Sequence, residues 1–205
     1  SVAGLTDVTH LGIFTIAEFS NIPNLVLLAP TNKAEYFAML DWSIEQQEHP
    51  VMILMPGNGV IDDGRVAEKD YSNIINKFKV EEKGSKVAIL GLGDFYQIGE
   101  EVSKMVEEKL GFKPTLVNPR FASGVDKELL NDLKQDHDLV ITLEDGILRG
   151  GFGESIASFY GDSDIKVKNY GLEKKFYDRY NPSQLLDELG ITPEKIVKYI
   201  ESMMK

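Results

Sequence analysis

The chain has no cysteine among its 205 residues. Disulfide bonds, thiolate nucleophiles and cysteine-ligated zinc sites are therefore excluded. Histidine is scarce as well, and the spacing of the three histidines, His10, His49 and His137, does not match that of a metal site. No serine, histidine and aspartate can be combined into a catalytic triad from the sequence pattern alone.

Long apolar runs are also missing. No run approaches the ~18 residues that a membrane-spanning helix needs, so no membrane partner is expected. The first ten residues, SVAGLTDVTH, lack a basic stretch followed by an apolar stretch, and a signal peptide is not expected either. We therefore expect a cytoplasmic location. The chain does not begin with Met, which suggests a fragment or a processed chain.

Positive charge is in short supply. The 22 Lys and Arg residues face 33 Asp and Glu residues, for a net charge of -11. Nucleic-acid binding is not expected, because it favours basic surfaces. Local binding of an anionic phosphate stays possible, since backbone N–H groups can bind an anion without any net positive charge.

The sequence instead contains an alternation of apolar strands and amphipathic helices. The predicted strands are Leu25–Ala29, Val51–Met55, Val87–Leu92, Thr115–Val117, Leu139–Leu143 and Ile165–Asn169. The predicted helices run from about 32 to 48, 94 to 110, 127 to 134 and 153 to 160, and two more follow Asn181-Pro182 and Thr192-Pro193. Apolar strands separated by such helices predict an α/β fold with a mostly parallel sheet covered on both faces.

Two parts of the chain allow more detailed predictions, the first helix and the polar stretch that follows the second strand. The first helix has Thr31 or Asn32 as its N-cap, with Glu35 completing a capping box, and it is predicted to bury Tyr36, Phe37, Leu40 and Ile44. The polar stretch between residues 57 and 85 reads as a linker that contains a hairpin at 77–82, with its turn at Lys83-Gly84. A domain boundary is expected near residue 75.

Two glycine-rich turns are candidate anion sites. Gly91-Leu92-Gly93 has Tyr96 where a dinucleotide-binding fingerprint requires glycine, so we interpret it as a tight turn capped by Asp94. The turn from Gly150 to Gly153 follows the acidic pair Glu144-Asp145 and opens a helix. It could bind an anion through its N–H groups, or its glycines could let the helix pack closely on the sheet. The lack of a P-loop Lys or Ser/Thr favours packing.

The three histidines lie in different contexts. His49 precedes Pro50 at a helix end and is predicted to be a surface or C-cap residue. His137 lies in the charged loop QDHD and is predicted to be solvated. His10 lies in the short polar segment TDVTHLG ahead of an apolar stretch, which makes it a candidate functional histidine.

Several motifs occur together in one order. The run from Thr9 to Phe14 (THLGIF), then Ile22-Pro23-Asn24, then Ala29-Pro30-Thr31, resembles the pattern THxGxFD…IPNM…APSD of the 1-deoxy-D-xylulose-5-phosphate synthase family and its transketolase relatives. Four later segments resemble further elements of that family: Pro119-Arg120-Phe121 with Asp126, Leu143-Glu144-Asp145, Gly150 to Gly153, and Gly171-Leu172 with Phe176. The resemblance covers nearly the whole chain.

The resemblance implies a domain organisation. Residues 1–60 would be the second half of a pyrimidine-binding domain, 61–85 a linker, and 86–205 a transketolase C-terminal domain. The full-length parent would use thiamine diphosphate and Mg²⁺, with the cofactor supplying the carbanion chemistry. The activating Glu and the metal-binding domain would lie upstream, so no cofactor or metal is expected to bind this chain alone.

The resemblance also implies partners and a site residue. Expected partners are a second copy in a homodimer, the missing N-terminal domains or a separate N-terminal subunit, and small keto acid and sugar phosphate substrates. His10 matches the family His that faces the substrate, where an imidazole can exchange a proton. The family Asp just before that His aligns with Thr6, and Asp7 is one step away, so both are candidate substrate-binding residues.

Two departures from the family concern the substrate. Where the family has RYPRG, whose second Arg contacts the substrate phosphate, this chain has Leu54-Met55-Pro56-Gly57-Asn58. The family's HG after GLPDRF is replaced by Arg179-Tyr180. Because Arg suits bidentate phosphate recognition, the acceptor is predicted to be less phosphorylated than glyceraldehyde 3-phosphate or to be a different molecule. Three hypotheses follow for the parent: a thiamine-diphosphate synthase, a split transketolase, or a dimerisation module without catalysis.

Overall fold

Two parallel-stranded units make up the fold. The computed structural model describes residues 2, 8–57 and 59–205. The predicted substrate-binding residues Thr6 and Asp7 lie outside the described residues. We call 8–57 and 59–75 the small-sheet region, and 76–205 the large-sheet region.

The small-sheet region begins with a 3₁₀ turn at Gly12–Phe14 and helix α1 (Thr15–Phe19). Strand β1 (Val26–Leu28) pairs in parallel with β2 (Val51–Ile53), and α2 (Lys33–Glu45) connects them. In the described part of the chain β2 pairs only with β1, so it is an edge strand. In this two-stranded sheet the residues of β1 are buried, whereas those of β2 are half-buried.

The large-sheet region contains a five-stranded sheet in the order β3-β5-β4-β6-β7. Its strands are β3 (Lys79–Glu82), β4 (Lys86–Gly91), β5 (Thr115–Asn118), β6 (His137–Ile147) and β7 (Lys166–Leu172). Its helices are α3 (Tyr96–Leu110), α4 (Lys127–Leu133), α5 (Phe152–Tyr160), α6 (Pro182–Glu188) and α7 (Pro193–Met203). Every strand pairing is parallel except that of β3 with β5, which confirms the predicted fold class.

Both faces of the large sheet are buried, because alternate side chains along each strand point to opposite sides. Ala88 and Leu90 contribute to the core that contains Ile156 of α5. Val87 and Ile89 contribute to the opposite core with α3 and α7. The continuous apolar strands of the sequence are thus explained by burial on two faces.

The two sheets meet at one seam. Ala29 N–H donates to Arg120 C=O (2.8 Å), and Ala122 N–H donates to Leu27 C=O (2.8 Å). The buried carboxylate of Glu35 accepts a hydrogen bond from Asn118 Nδ2 (2.7 Å). The small sheet is therefore joined to the large sheet through the segment that follows β5.

The predicted buried face of α2 is wrong. Phe37 is 50% exposed and Ile44 is 72% exposed, whereas Glu35, Met39 and Trp42 are buried. The helix carries apolar residues on more than one side, and spacing alone cannot tell which side meets its own sheet. The helix also ends at Glu45 rather than near Glu48. Its cap is confirmed, since Asn32 accepts a hydrogen bond from Glu35 N–H (2.9 Å).

The predicted hairpin at 77–82 is also wrong. Strand β3 pairs antiparallel with β5, which follows it by some thirty residues, and not with the adjacent β4. The turn at Lys83-Gly84 fails to fold the chain back because Gly84 packs against Lys113 and Pro114 and its N–H donates to Thr115 Oγ1 (3.0 Å). Non-local pairing of this kind leaves no local sequence signal.

The prediction for His137 is wrong, and of the two alternatives for His49 the cap is excluded. His137 is buried, not solvated, and its Nε2 lies 2.8 Å from Thr115 Oγ1 at the start of β6. His49 is not the cap of α2, because the C-cap is Gln46. The Gln46 side chain accepts from His49 N–H and donates to His49 C=O, which holds the loop after the helix.

Candidate functional site

A cavity of about 180 Å³ lies beyond the carboxyl ends of β1, β2 and β4. Parallel α/β sheets bind their ligands at this end of the strands. The residues that line it come from the two sheets and from the segment before α1: Gly12, Thr15, Ile16, Ala29, Met52, Ile53, Leu54, Met55, Pro56, Leu92, Gly93, Asp94 and Asp145. It is the candidate site because it joins both regions.

Backbone geometry brings these segments together. Leu54 N–H donates to Leu28 C=O (2.8 Å), which extends the β1–β2 pairing to the cavity. On the other side, Gly93 has a φ of 59°, a conformation that favours glycine. A side chain on Gly91 would place its Cβ 2.6 Å from Tyr96 Cα. The turn after β4 is therefore specified by its two glycines.

The predicted capping role of Asp94 is wrong. Residues 93–95 form a 3₁₀ turn, and α3 begins at Tyr96 with no side-chain cap hydrogen bond. Asp94 instead lines the cavity. The extra 3₁₀ turn moves the helix start by two residues, so the Asp no longer stands at the N-cap position.

Two carboxylates give the described lining of the cavity a negative charge. Asp94 and Asp145 are the charged residues among its lining residues, and the described lining contains no Lys, Arg or His. Both oxygens of Asp145 lie 3.0 Å from Val2 N. The described lining is therefore acidic beside an apolar surface formed by Leu54, Met55 and Pro56, and Asp145 already accepts from Val2 N–H.

His10 lies close to the cavity in sequence but not among its lining residues. Its side chain is exposed, and its Nδ1 lies 2.8 Å from Thr9 Oγ1. Gly12, two residues further on, does line the cavity. The role of His10 stays a prediction, as do those of Thr6 and Asp7.

The turn at Gly150 to Gly153 has a partner that the sequence did not identify. Glu144 is 0% exposed, and its carboxylate accepts hydrogen bonds from Phe152 N–H (2.9 Å) and Gly153 N–H (2.8 Å) at the start of α5. The N–H groups proposed to bind an anion thus bind the chain's own carboxylate. A Cβ on Gly151 would lie 2.5 Å from Glu144 Oε2, which supports the packing interpretation.

Burial changes the chemistry of Glu144. Removal from water raises the pKa of this carboxyl from 4.5 to about 7, although the two N–H hydrogen bonds lower it, and the neighbouring Asp145 raises it further. The signal in the sequence was an acidic pair at a strand end eight residues before a glycine-rich helix start. Only the fold shows which member of the pair turns inward.

The described residues do not fit a metal centre. No three His, Asp or Glu side chains among residues 2, 8–57 and 59–205 are grouped so that they could hold a metal ion.

No helix in that part of the chain is long and apolar enough to cross a membrane.

Residues 76–196 match the transketolase C-terminal domain family. Among curated proteins, the chain is similar to the 1-deoxy-D-xylulose-5-phosphate synthases of Shouchella clausii (30% identity over 99% of the chain), Crocosphaera subtropica (32% over 98%) and a Synechococcus species (33% over 100%). The chain covers 32% of the length of each of these proteins, so it spans about a third of the relatives that it matches.

Solved structures show the same fold. A split-gene transketolase, described as an inactive β4 tetramer, superposes with a TM-score of 0.74 at 24% identity, covering 95% of this chain and 62% of that one. A transketolase mutant from Pichia stipitis superposes with a TM-score of 0.71 at 15% identity, covering 98% of this chain and 28% of the other. At these identities the likeness concerns the fold alone.

Proposed function

The chain belongs to the transketolase C-terminal domain family, and we propose that it is the C-terminal part of a thiamine-diphosphate-dependent transferase that forms C–C bonds. The observation that carries the proposal is the extent of the similarity. It runs through both regions, with 30–33% identity over nearly the whole chain, yet covers about a third of the synthases matched. The proposed reaction joins a two-carbon unit from pyruvate, with decarboxylation, to an aldehyde acceptor.

The chain alone would lack the cofactor site. The described residues contain no metal-binding group, and the helix N-terminus at Phe152 and Gly153 is occupied by Glu144. These residues do not fit Mg²⁺ or a diphosphate. We therefore propose that N-terminal domains, or a separate N-terminal subunit, supply the thiamine diphosphate and Mg²⁺ site, and that this chain alone is inactive.

The chain would supply one side of the substrate site. In the completed enzyme we propose that His10 faces the substrate and exchanges a proton with it, with Thr6 or Asp7 as hydrogen-bonding neighbours. The segment after β2 would contact the acceptor, and it has Leu54 and Gly57 where the family pattern RYPRG has its two arginines. This composition supports an acceptor that carries less phosphate than glyceraldehyde 3-phosphate.

The proposed organisation follows the resemblance. Residues 1–60 complete a pyrimidine-binding domain, 61–85 connect the domains, and 86–205 form the C-terminal domain of a cytoplasmic homodimer. One finding refines the connecting segment, because β3 at 79–82 belongs to the large sheet. The exposed side chains of Phe37 and Ile44, next to an edge strand, support a missing covering segment.

A second candidate is an interaction module without catalysis. The same exposed apolar side of α2 favours it, because an interaction module needs such a surface and needs no substrate site. His10 distinguishes the two candidates, because only the enzyme requires that side chain for activity.

The test is activity after assembly with the N-terminal part, taken from the reading frame fused or adjacent to this one. We expect turnover of pyruvate with unphosphorylated glyceraldehyde, and a loss of at least ~100-fold in the His10→Gln variant, the scale typical of acid–base catalysis. His49→Gln, in the loop after α2, is the matched control. Assembly without turnover of any aldehyde would favour the second candidate, an interaction module without catalysis. Full activity of His10→Gln would remove the proposed role of that residue.

A further inference from the structure

The segment that leads from the small sheet to the large sheet is fixed in place along its first part. Between Ile53 and Ser72 no described residue lies in a helix or a strand, so regular backbone pairing does not hold this stretch. Residues 61–65, which we call the strap, are instead held by hydrogen bonds and ion pairs. Surface segments with few such contacts open readily. The contacts of the strap therefore distinguish it from a flexible linker.

One side of the strap contacts the start of α2. The N–H of Lys33, the first residue of that helix, donates to Ile61 C=O (2.7 Å). The side chain of Asn32, the N-cap, donates to Asp63 Oδ1 (3.1 Å). A helix leaves its first N–H groups without partners inside the helix, so the strap completes the N-terminus of α2.

The other side of the strap contacts the large-sheet region through Arg65. Its guanidinium lies over the ring of Tyr96, the first residue of α3, 4.5 Å from the centroid, and its Nη1 lies 3.9 Å from Glu81 Oε1 on β3. The same guanidinium donates to Asp63 Oδ2 (2.8 Å) through Nε and to Thr31 Oγ1 (3.3 Å) through Nη2. A planar guanidinium can make these contacts together, whereas the compact ammonium of lysine cannot. Arg65 thus joins the two regions.

Thr31 connects this link to the seam between the sheets. Its side chain is buried, donates to Glu35 Oε2 (2.8 Å) and accepts from Asn118 Nδ2 of β5 (3.4 Å). Ala29, two residues earlier, lines the cavity, as does Gly93 on the other side. A Cβ on Gly93 would lie 3.7 Å from Ala29 Cβ, so the two regions are in close contact there. A shift of the start of α2 relative to α3 would change the spacing between the regions at the cavity.

We propose that the strap is a latch between the two regions, closed by Arg65, that sets their relative placement and with it the width of the cavity where they meet. Because the Arg65 side chain is 24% exposed, its contacts can break without unfolding either core. The latch does not rest on the proposed function, because every contact that carries it lies within this chain.

Native-state hydrogen exchange of the 205-residue chain tests the latch. The amides of Ala29 and Ala122 donate across the seam, and the amides of β4 serve as the reference for global unfolding. In Arg65→Met the two seam amides should exchange at least about tenfold faster, the scale expected for losing hydrogen bonds to a charged group, while the β4 amides change little. Arg65→Lys, which keeps the charge but not the planar fork, should give an intermediate rate. Arg179→Met, at a side chain that is 92% exposed, is the matched control and should exchange as the wild type does.

Two outcomes of this experiment would overturn the latch. Unchanged exchange of both seam amides in Arg65→Met would show that the seam holds without the strap. Equal acceleration at the seam and in β4 would show that Arg65 contributes to overall stability and not to the placement of the regions. Asp63→Asn weakens the same latch, so its effect and that of Arg65→Met should not add. Fully additive effects would contradict a single latch.

A distance measurement reports the placement of the regions directly. The chain has no cysteine, so Asp41→Cys on α2 and Lys198→Cys on α7, both at exposed positions, introduce one pair of sites for spin labels. We expect a single narrow distance distribution in this background, and a broader or shifted one when Arg65→Met is added. Arg179→Met should leave the distribution narrow. An unchanged distribution in Arg65→Met would contradict the latch, even if exchange at the seam rises.

Discussion

The small-sheet and large-sheet regions use similar elements but reach different degrees of burial. Strand β4 of the large sheet is flanked by strands on both sides and by helices on both faces, and Ile89 and Leu90 are fully buried. Strand β2 of the small sheet is an edge strand of intermediate exposure in the described chain, and α2 leaves Phe37 and Ile44 exposed. Similar apolar patterns thus complete a core in one region and leave an open side in the other.

The difference indicates where the chain depends on a partner. An apolar helix side that covers nothing of its own molecule marks an interaction surface. The small-sheet region is therefore the part that we expect to need a covering segment.

The largest expected effect comes from truncating matched isoleucines in the two regions. Ile141 in β6 is fully buried, and Ile44 on α2 is 72% exposed. We expect Ile141→Ala to lower the free energy of unfolding by about 2–5 kcal/mol, and Ile44→Ala to change it by less than about 0.5 kcal/mol. Urea unfolding followed by circular dichroism measures both. Similar losses would contradict the comparison.

The pH dependence of Glu144 tests the burial within the large-sheet region. Its pKa is raised in the folded state, from 4.5 to about 7, so the folded chain holds this proton more tightly than the unfolded chain. The resulting stabilisation is fully present below pH 4.5 and is lost as the pH rises through about 7.

Relative to Glu144→Gln, the wild-type free energy of unfolding should therefore fall on going from pH 4.5 to pH 8. The change is on the order of 3 kcal/mol, at 1.36 kcal/mol per pKa unit. Unfolding curves of both proteins at several pH values give this difference. A difference that is constant with pH would show that the carboxylate titrates as it does in water.

Two glycines at the two ends of α5 provide a matched pair. A Cβ at Gly151 would lie 2.5 Å from Ile147 O and from Glu144 Oε2, while the nearest contact of one at Gly161 would be Ser158 O of α5 at 3.4 Å. Gly151→Ala should cost about 1–3 kcal/mol through overpacking, and Gly161→Ala should be neutral or slightly stabilising. Thermal unfolding measures both. Equal behaviour would argue against the packing role of the first glycine.

Much of the large-sheet region could be predicted from the sequence. The apolar run VAILGL predicted a strand that matches β4 to within a residue at each end. Because the run is apolar throughout, it also predicted burial on both faces of the sheet. Asn181 was predicted to begin a helix and does cap α6. These features depend on neighbouring residues, and local pattern is enough to specify them.

The predictions that were wrong concern features that depend on residues far apart in the sequence. The burial of His137 rests on Thr115, 22 residues away, and the partner of β3 lies beyond β4. The exposed side of α2 could not be identified because the helix carries apolar residues on more than one side. The cavity lies at the carboxyl ends of parallel strands, the end at which such sheets bind ligands. The inward turn of Glu144 and the place of Asp94 and Asp145 in one cavity lining required the fold.

The smallest expected effect on stability concerns the open side of α2. The double variant Phe37→Ser and Ile44→Ser should change the free energy of unfolding by less than about 1 kcal/mol, because both side chains are at least half exposed. It should, however, reduce self-association of the chain and weaken its assembly with the N-terminal part. Sedimentation velocity measures both. Unchanged association would show that the surface that binds the partner does not include Phe37 and Ile44.

Titration of thiamine diphosphate with Mg²⁺ tests the central claim most directly. We expect no measurable binding heat with the 205-residue chain alone, and saturable binding once the N-terminal part is added. Tight binding to the chain alone would contradict the view that its cofactor site is incomplete.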